Sequence, residues 1–202
     1  MGKSTRSETR QRIILAAREL FMEHGHDGVN MRELADKANV NKGLLHYYFK
    51  TKKSIFKEVF QYQAGRLYGQ VLDIVEGEHP LERKVELMVE RYFSVLAETP
   101  SLPAFVLFEV QRDPGMLARS PVRDVILKIS SSIGPELRKR KLPKGRDNGV
   151  QFLLDVFSLC AFTFAAFPGI SKVMQFNKAQ RSAFLAERQS HITSVLQQSL
   201  LP

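Results

Sequence analysis

The residues from Asn30 to Phe49 limit what this chain can fold into more than any others. Asn30 is a strong helix N-cap type, Glu33 stands where a capping box needs its acid, and Val29 and Leu34 occupy the two positions of a hydrophobic staple. The helix that starts there must be short. Asn39 tolerates the left-handed backbone of a tight turn, and Asn41 is a second N-cap two residues later. The helix it opens runs to about Phe49, with Leu45 and Phe49 one turn apart on its inward side. Upstream, Ile13, Ile14, Ala17, Leu20 and Phe21 form one helical stripe, which Gly25 stops as a C′ residue. A longer helix carrying two short ones across a turn of about four residues is a helix-turn-helix.

Thr51 or Lys52 opens a fourth helix that continues to about Val75. From Leu81 onwards helical patterns follow one another, punctuated by Pro100, Pro103, Asp113-Pro114-Gly115, Ser120-Pro121, Gly134-Pro135, Pro143 with Gly145, and Pro168-Gly169. Ser120-Pro121 reads as an N-cap with proline at N1. The largely apolar run 150–167, interrupted by Asp155 and Ser158, predicts a helix buried on more than one side. A last helix spans about 178–200, with Phe184, Leu185, His191, Ile192, Val195 and Leu196 towards its buried side. There is no alternating strand pattern and no internal repeat. The expected fold is all-α with about nine helices: a head at 1–52 and a larger helical body at 53–202.

Charge narrows the partner. The net charge is +9 and the pI about 9.8, which suits a polyanion. Residues 1–53 hold 11 of the Lys and Arg against 6 Asp and Glu, so more than half the excess lies in the head. A second basic run, Arg138 to Lys141 with Lys144 and Arg146, reads as a solvated loop. No apolar stretch nears the roughly 20 residues of a membrane span, and the start is polar and basic. The single cysteine, Cys160, reads as a buried small hydrophobe. The expectation is a cytoplasmic protein with no membrane partner. No nucleophile elbow, Walker loop or metalloprotease motif is present, so no enzyme, metal or cofactor is expected. His24 and His26 lie in a loop at a helix end with no cysteine partner, too little for a metal site.

In a helix-turn-helix the second helix enters the major groove with its N-terminal residues towards base edges. Here these are Asn41, Lys42, Gly43 and Leu44. Lys42 can reach a phosphate or a guanine acceptor edge, and Leu44 a thymine methyl. Gly43 lets backbone approach DNA closely. His46 and Tyr47 offer polar tips for phosphate oxygens, and Asn30 and Lys52 lie at helix starts along the same phosphate line. Arg6, Arg10 and Lys3 are expected on a mobile N-terminal arm.

The stretch Ile14-Leu-Ala-Ala17, Leu20-Phe21, Gly25, Met31-Arg-Glu-Leu-Ala35, Ala38-Asn-Val40, Lys42-Gly43, Leu45-His-Tyr-Tyr-Phe49 and Lys50-Thr-Lys52 closely resembles the DNA-binding head of the TetR/AcrR family of bacterial transcriptional regulators. The resemblance implies DNA contacts at Lys42, Gly43, Tyr47 and Lys52. Asn41, Asn30 and Asn39 replace a frequent serine, threonine and glycine, and His46 a frequent tyrosine. It also implies a body that binds a small molecule among its central helices and forms a homodimer through its last two. Ten of the 14 phenylalanines fall after residue 60. Phe105, Phe108, Glu109, Phe152, Phe157 and Phe162 are the candidates to line a pocket for an apolar effector. The helices near 150–167 and 178–200 are the candidates for the dimer interface. The function expected is a repressor that a ligand releases from a palindromic operator. The alternative is a ligand-independent, architectural regulator with a solid helical body.

Overall fold

The computed structural model of the protein describes residues 2–120 and 122–202, and the side chains of all of these except 2–5, 64 and 66–68. Ten helical segments make up the described chain: α1 (Gly2–Gly28), α2 (Met31–Lys37), α3 (Lys42–Tyr48), α4 (Lys52–Glu76), α5 (Leu81–Glu98), α6 (Leu102–Arg112), α7 (Gly115–Ala118), α8 (Val122–Lys139), α9 (Gly149–Val173) and α10 (Lys178–Gln198). No strand occurs among the described residues. The single turn α7 comes from the Asp113–Gly115 break, which starts a new helix as well as ending α6. The expected cap at Ser120-Pro121 lies partly outside the described residues, since Pro121 is not among them.

The chain divides into two compact units. One is the chain up to Ala64 together with Ala104–Met116; the other is Gly65–Pro103 with Leu117–Pro202. The division falls within α4 and not at its start near residue 52. The first turns of α4 explain this: Ile55, Phe56, Val59 and Phe60 are all buried, and Phe56 and Phe60 both meet Phe105 of α6 at ring-centroid distances of 5.3 and 6.4 Å.

The head is built as its punctuation dictates. Gly25 breaks α1 at φ 69°, a left-handed conformation that costs glycine little. Asn30 Oδ1 accepts from the backbone N–H groups of Arg32 and Glu33 at 3.0 and 2.8 Å. Asn39 takes φ 51°, and Asn41 Oδ1 accepts from Leu44 N at 2.7 Å. Thr51 caps α4 in the same way, with Ser54 N donating to its Oγ1 at 3.1 Å. Each cap satisfies N–H groups that a helix start leaves open, an effect of about 1 kcal/mol apiece. Ile13, Ala17, Leu20, Phe21, Val29, Leu34, Leu45 and Phe49 then form a continuous buried core, while Ile14 is half-buried.

In the body, α5 buries Leu81, Val85, Met88, Tyr92 and Leu96, a spacing of three and four that makes one stripe. It packs on α9 and α10, and α9 also packs on α8. Two expected breaks are absent, because Pro135 lies inside α8 and Pro168 inside α9. An interior proline costs a helix roughly 3 kcal/mol. Around these two, buried Ile133 and Leu137, and Phe164, Phe167 and Ser171, hold both sides of the proline against neighbouring elements.

Continuation through Pro168 corrects the reading of α9. At 25 residues and a mean hydropathy of 1.8 over its best window, it is long and apolar enough to cross a membrane by length and composition, although only 39% of that window is buried. Asp155 still interrupts it, and burial raises that carboxyl above its ordinary value. Burial also pushes the Cys160 thiol up to about 12. The apolar perimeter of α9 is not buried on all sides: Val150, Leu154, Phe162, Ile170 and Val173 are exposed. On α10, Ile192 and Leu196 are buried, Phe184 and Leu185 half-buried, and His191 and Val195 exposed. The stripe set by Ile192, Leu196 and Leu200 turns those last two outwards.

Candidate nucleic-acid interface

Leu45 is the residue that aims α3. It is the one buried side chain of that helix, so the opposite face is fixed outwards once Leu45 and the C-cap Phe49 enter the head core. Asn41, Lys42, Gly43, Leu44, His46 and Tyr47 are all exposed, whereas Tyr48 is half-buried. Leu44 is 37% and Tyr47 62% exposed, high for large apolar bodies in a packed domain. These two offer contact area, Lys42 a mobile cation, and Gly43 a bare stretch of backbone. A Cβ added to Gly43 would meet only Asn41 Oδ1, at 3.4 Å, so nothing in the fold itself demands the small residue.

Asn30 spends its side-chain oxygen on α2, yet remains exposed. Lys52 departs from the simplest expectation. Its ammonium donates to the backbone carbonyl of Val29 at 3.0 Å and is half-buried, so it ties the start of α4 to the loop before α2. A free cation on a phosphate line is not what this geometry shows. The N-terminus of α4, with Thr51 at its cap, still presents a positive backbone end.

The expected arm is helix. α1 begins at Gly2, and it places Arg6 and Arg10 beside α3. Arg6 Nη2 donates to the Tyr47 hydroxyl at 2.7 Å. Arg10 pairs with Glu58 and lies 5.4 Å from the Phe49 ring centroid. Arg6, Ser7, Arg10, Tyr47 and Tyr48 line an open cleft of about 360 Å³. Lys3 has no described side chain. Sequence reasoning missed the Arg6–Tyr47 pairing because its partners are 41 positions apart. The only signal available was an arginine on the polar side of the first helical stripe.

Behind the interface, the loop between α1 and α2 is held by an aromatic stack. His26 lies 6.1 Å from Phe21 and 4.9 Å from Phe56, with Nδ1 on Asp27 at 2.7 Å. That hydrogen bond, with smaller contributions from the Arg112 and Lys52 charges, holds the Asp27 carboxyl below its ordinary value. Among the described residues no group of three or more His, Cys, Asp or Glu could hold a metal.

The six pocket candidates divide between the two units. Phe105 is buried against Phe56 and Phe60, and Glu109 is fully buried and bonded to Arg112 at 2.6 Å; both belong to the head unit, as does the 56%-exposed Phe108. In the body unit, Phe152 is buried, Phe157 is half-buried with its ring 6.3 Å from Tyr92, and Phe162 is 67% exposed. Helical rotation separates Phe152 from Phe162, a consequence that aromatic content alone does not register.

Residues 13–59 match the domain described as bacterial regulatory proteins, tetR family. The chain is 28% identical over 91 residues to the transcriptional activator FasR of Mycolicibacterium smegmatis, an alignment covering 45% of this chain and 42% of that protein. It is 24% identical over 187 residues to the Escherichia coli protein named "Probable acrEF/envCD operon repressor", covering 89% and 83%. The first of its curated relatives are matched over about half of their length, 42 to 58%. Among solved structures, FadR of Bacillus subtilis, in complex with stearoyl-CoA, superposes at a TM-score of 0.67 with 19% identity, over 91% of this chain and 97% of that one. At that identity the likeness speaks for the fold alone, and what the head match shows is that residues 13–59 form a DNA-binding domain of the tetR family of bacterial regulatory proteins.

Proposed function

We propose that the chain is a homodimeric repressor that binds a pseudo-palindromic operator through α3 and releases it when a small apolar molecule binds the body. The observation that carries the DNA part is the outward face of α3, where Lys42, Gly43, Leu44, His46 and Tyr47 stand exposed on a helix anchored by buried Leu45. Lys42 and Tyr47 meet phosphates, Gly43 admits the DNA backbone, and Leu44 and His46 set base preference. Asn30 and the N-terminus of α4 flank them.

The dimer reading is supported by the unpartnered side of α9. Val150, Leu154, Phe162 and Val173 follow a helical stripe and are all exposed, on a helix too apolar for a solvent face. The first half of α10 is likewise largely uncovered. Pairing α9 and α10 with their symmetry mates buries both and sets two reading heads about one helical turn, roughly 34 Å, apart.

The release reading is supported by the membership of Ala104–Met116 in the head unit, since α6 then carries any displacement into α4 through Phe105, Phe56 and Phe60. The effector class follows from the solved relative bound to stearoyl-CoA: a long acyl chain, carried as a thioester or free acid. The test is selection of genomic fragments on the full chain, followed by titration of the selected duplex with stearoyl-CoA. Release of a symmetric duplex by the acyl-CoA is expected. Tight binding untouched by acyl-CoA and by cell extract would favour the ligand-independent regulator instead. In the same assay, Lys42→Ala lowers affinity by roughly ten-fold, from a lost charge contact of about 1–3 kcal/mol.

A further inference from the structure

We propose that Arg6 and Tyr47 together form a phosphate seat that joins the first helix to the reading helix, with Arg6 supplying its charge. The inference rests on the reading of α3 as the DNA-facing helix.

The hydrogen bond can run in one direction only. A guanidinium only donates, so in the 2.7 Å contact the Tyr47 oxygen must accept from Arg6 Nη2. The phenolic proton therefore points elsewhere and is left to donate outwards. Arg6 keeps its remaining N–H groups, and an arginine in this position suits the paired oxygens of a phosphate. Ser7, the next residue, brings a second hydroxyl to the same cleft of about 360 Å³. Tyr48 meets the Tyr47 ring edge-on at 5.4 Å and steadies it.

The two arginines of the cleft differ in what they have left to give. Arg10 is paired with the Glu58 carboxylate, so its charge is compensated inside the head. Among the described residues Arg6 bonds to a neutral phenol and to no carboxylate, which leaves its charge available to an anion. A cleft with one uncompensated guanidinium and outward-facing hydroxyls, open to solvent beside an exposed reading helix, fits a backbone phosphate of duplex DNA. The contact carries no base information, since it reads no base edge. Its effect is to set the angle at which α3 enters the groove and to steepen the salt dependence of binding.

The test uses the full chain and a labelled mixed-sequence duplex, whose binding is almost wholly electrostatic, titrated over a series of salt concentrations. Each neutralised phosphate contributes about 0.9 to the slope of log affinity against log salt. Arg6→Ala and Arg6→Gln are expected to lower the slope by about that amount per protomer bound, and Arg6→Lys to restore it. Tyr47→Phe is expected to weaken binding at every salt concentration with the slope unchanged. Arg10→Gln is expected to leave the slope alone. A purely structural brace would lower the melting temperature of Arg6→Ala without moving its slope. If both neutral Arg6 variants keep the wild-type slope while Lys42→Ala lowers it, the seat is wrong and the DNA-facing reading of α3 stands. If the wild-type chain binds no duplex, both fall.

Discussion

Two glycines, Gly43 in the head and Gly149 in the body, show how differently the two parts of the molecule use the same local sequence. Each lies in the first turn of a helix behind a capping asparagine: Asn41 Oδ1 accepts from Leu44 N at 2.7 Å, and Asn148 Oδ1 from Val150 N at 2.8 Å. Beyond Gly43 there is open space past the cap itself. Beyond Gly149 there is Ser130 of α8, whose carbonyl oxygen would stand 2.5 Å and whose Cα 3.0 Å from an added Cβ. The head keeps a small residue where its own fold leaves space, the place at which the proposed reading brings in DNA backbone. The body keeps one where two of its own helices already touch. Smallness in sequence therefore does not tell whether a neighbour in the chain requires it, and only the fold separates the two cases.

The largest expected effect in stability breaks this symmetry. Gly149→Ala forces backbone against backbone across the α8–α9 contact, where no side chain can swing aside, so it should destabilise the body by about 1–3 kcal/mol or more, as overpacking does. Gly43→Ala should leave folding within about 1 kcal/mol, with the higher helix propensity of alanine in its favour, and should instead weaken duplex binding. Chemical denaturation of both variants checks the first half, and binding to the selected duplex the second. Equal losses of stability in the two would show that Gly43, too, is a packing residue.

The same contrast decides what was legible beforehand. The head's boundaries depend on hydrogen bonds within a few residues, such as Asn30 to Glu33, Asn41 to Leu44 and the left-handed Asn39, and these appear in the sequence as residue types at fixed offsets. The body depends on which face of a long apolar helix meets which neighbour. Pro135 and Pro168 look like stops in isolation, yet burial on both sides carries the helices through them. Phe152 and Phe162 look equivalent by composition, but one is buried and the other is 67% exposed. Long-range pairings escape for the same reason. Nothing near Arg6 or Lys52 announces the Tyr47 hydroxyl or the Val29 carbonyl as its partner.

Cap removal gives the next effect in size and sharpens the comparison. Asn30→Ala and Asn41→Ala should each cost about 1 kcal/mol, because each strands N–H groups at a helix start. In helices of seven residues such as α2 and α3, that loss should appear as faster amide exchange over the whole helix. Asn177→Ala removes the side-chain half of a capping box, the bond that Gln180 N donates to Asn177 Oδ1 at 3.0 Å, and leaves the one from the backbone N of residue 177 to Gln180 Oε1, 2.9 Å in the wild type. The free-energy cost should be similar, but α10 has 21 residues and only its first turn should fray. Hydrogen exchange read helix by helix distinguishes the two patterns. Whole-helix loss in α10 would mean that its packing on α5 and α9 is weaker than its buried Ile192 and Leu196 suggest.

The smallest effect is one of pH, and it too should separate the units. In the body, the hydrogen bond from Arg140 to Glu82 at 2.6 Å is the main cause holding that carboxyl below its ordinary value of 4.5. A carboxyl depressed in the folded state adds stability that is fully present above its unfolded value and is lost as pH falls through the folded one. The body should therefore weaken on acidification below 4.5, by no more than the roughly 0–1 kcal/mol of a solvent-exposed pair, and less in high salt. Arg140→Gln should flatten that part of the acid limb in amide exchange of α5 and α8. It should leave the acid response of the head untouched, because there the depressed carboxyl is Asp27, held by His26 and not by any residue of the body. If Arg140→Gln altered the acid response of α2 and α3 as strongly as that of α5, the two units would titrate as one, and the separation between a locally specified head and a packing-specified body would have to be given up.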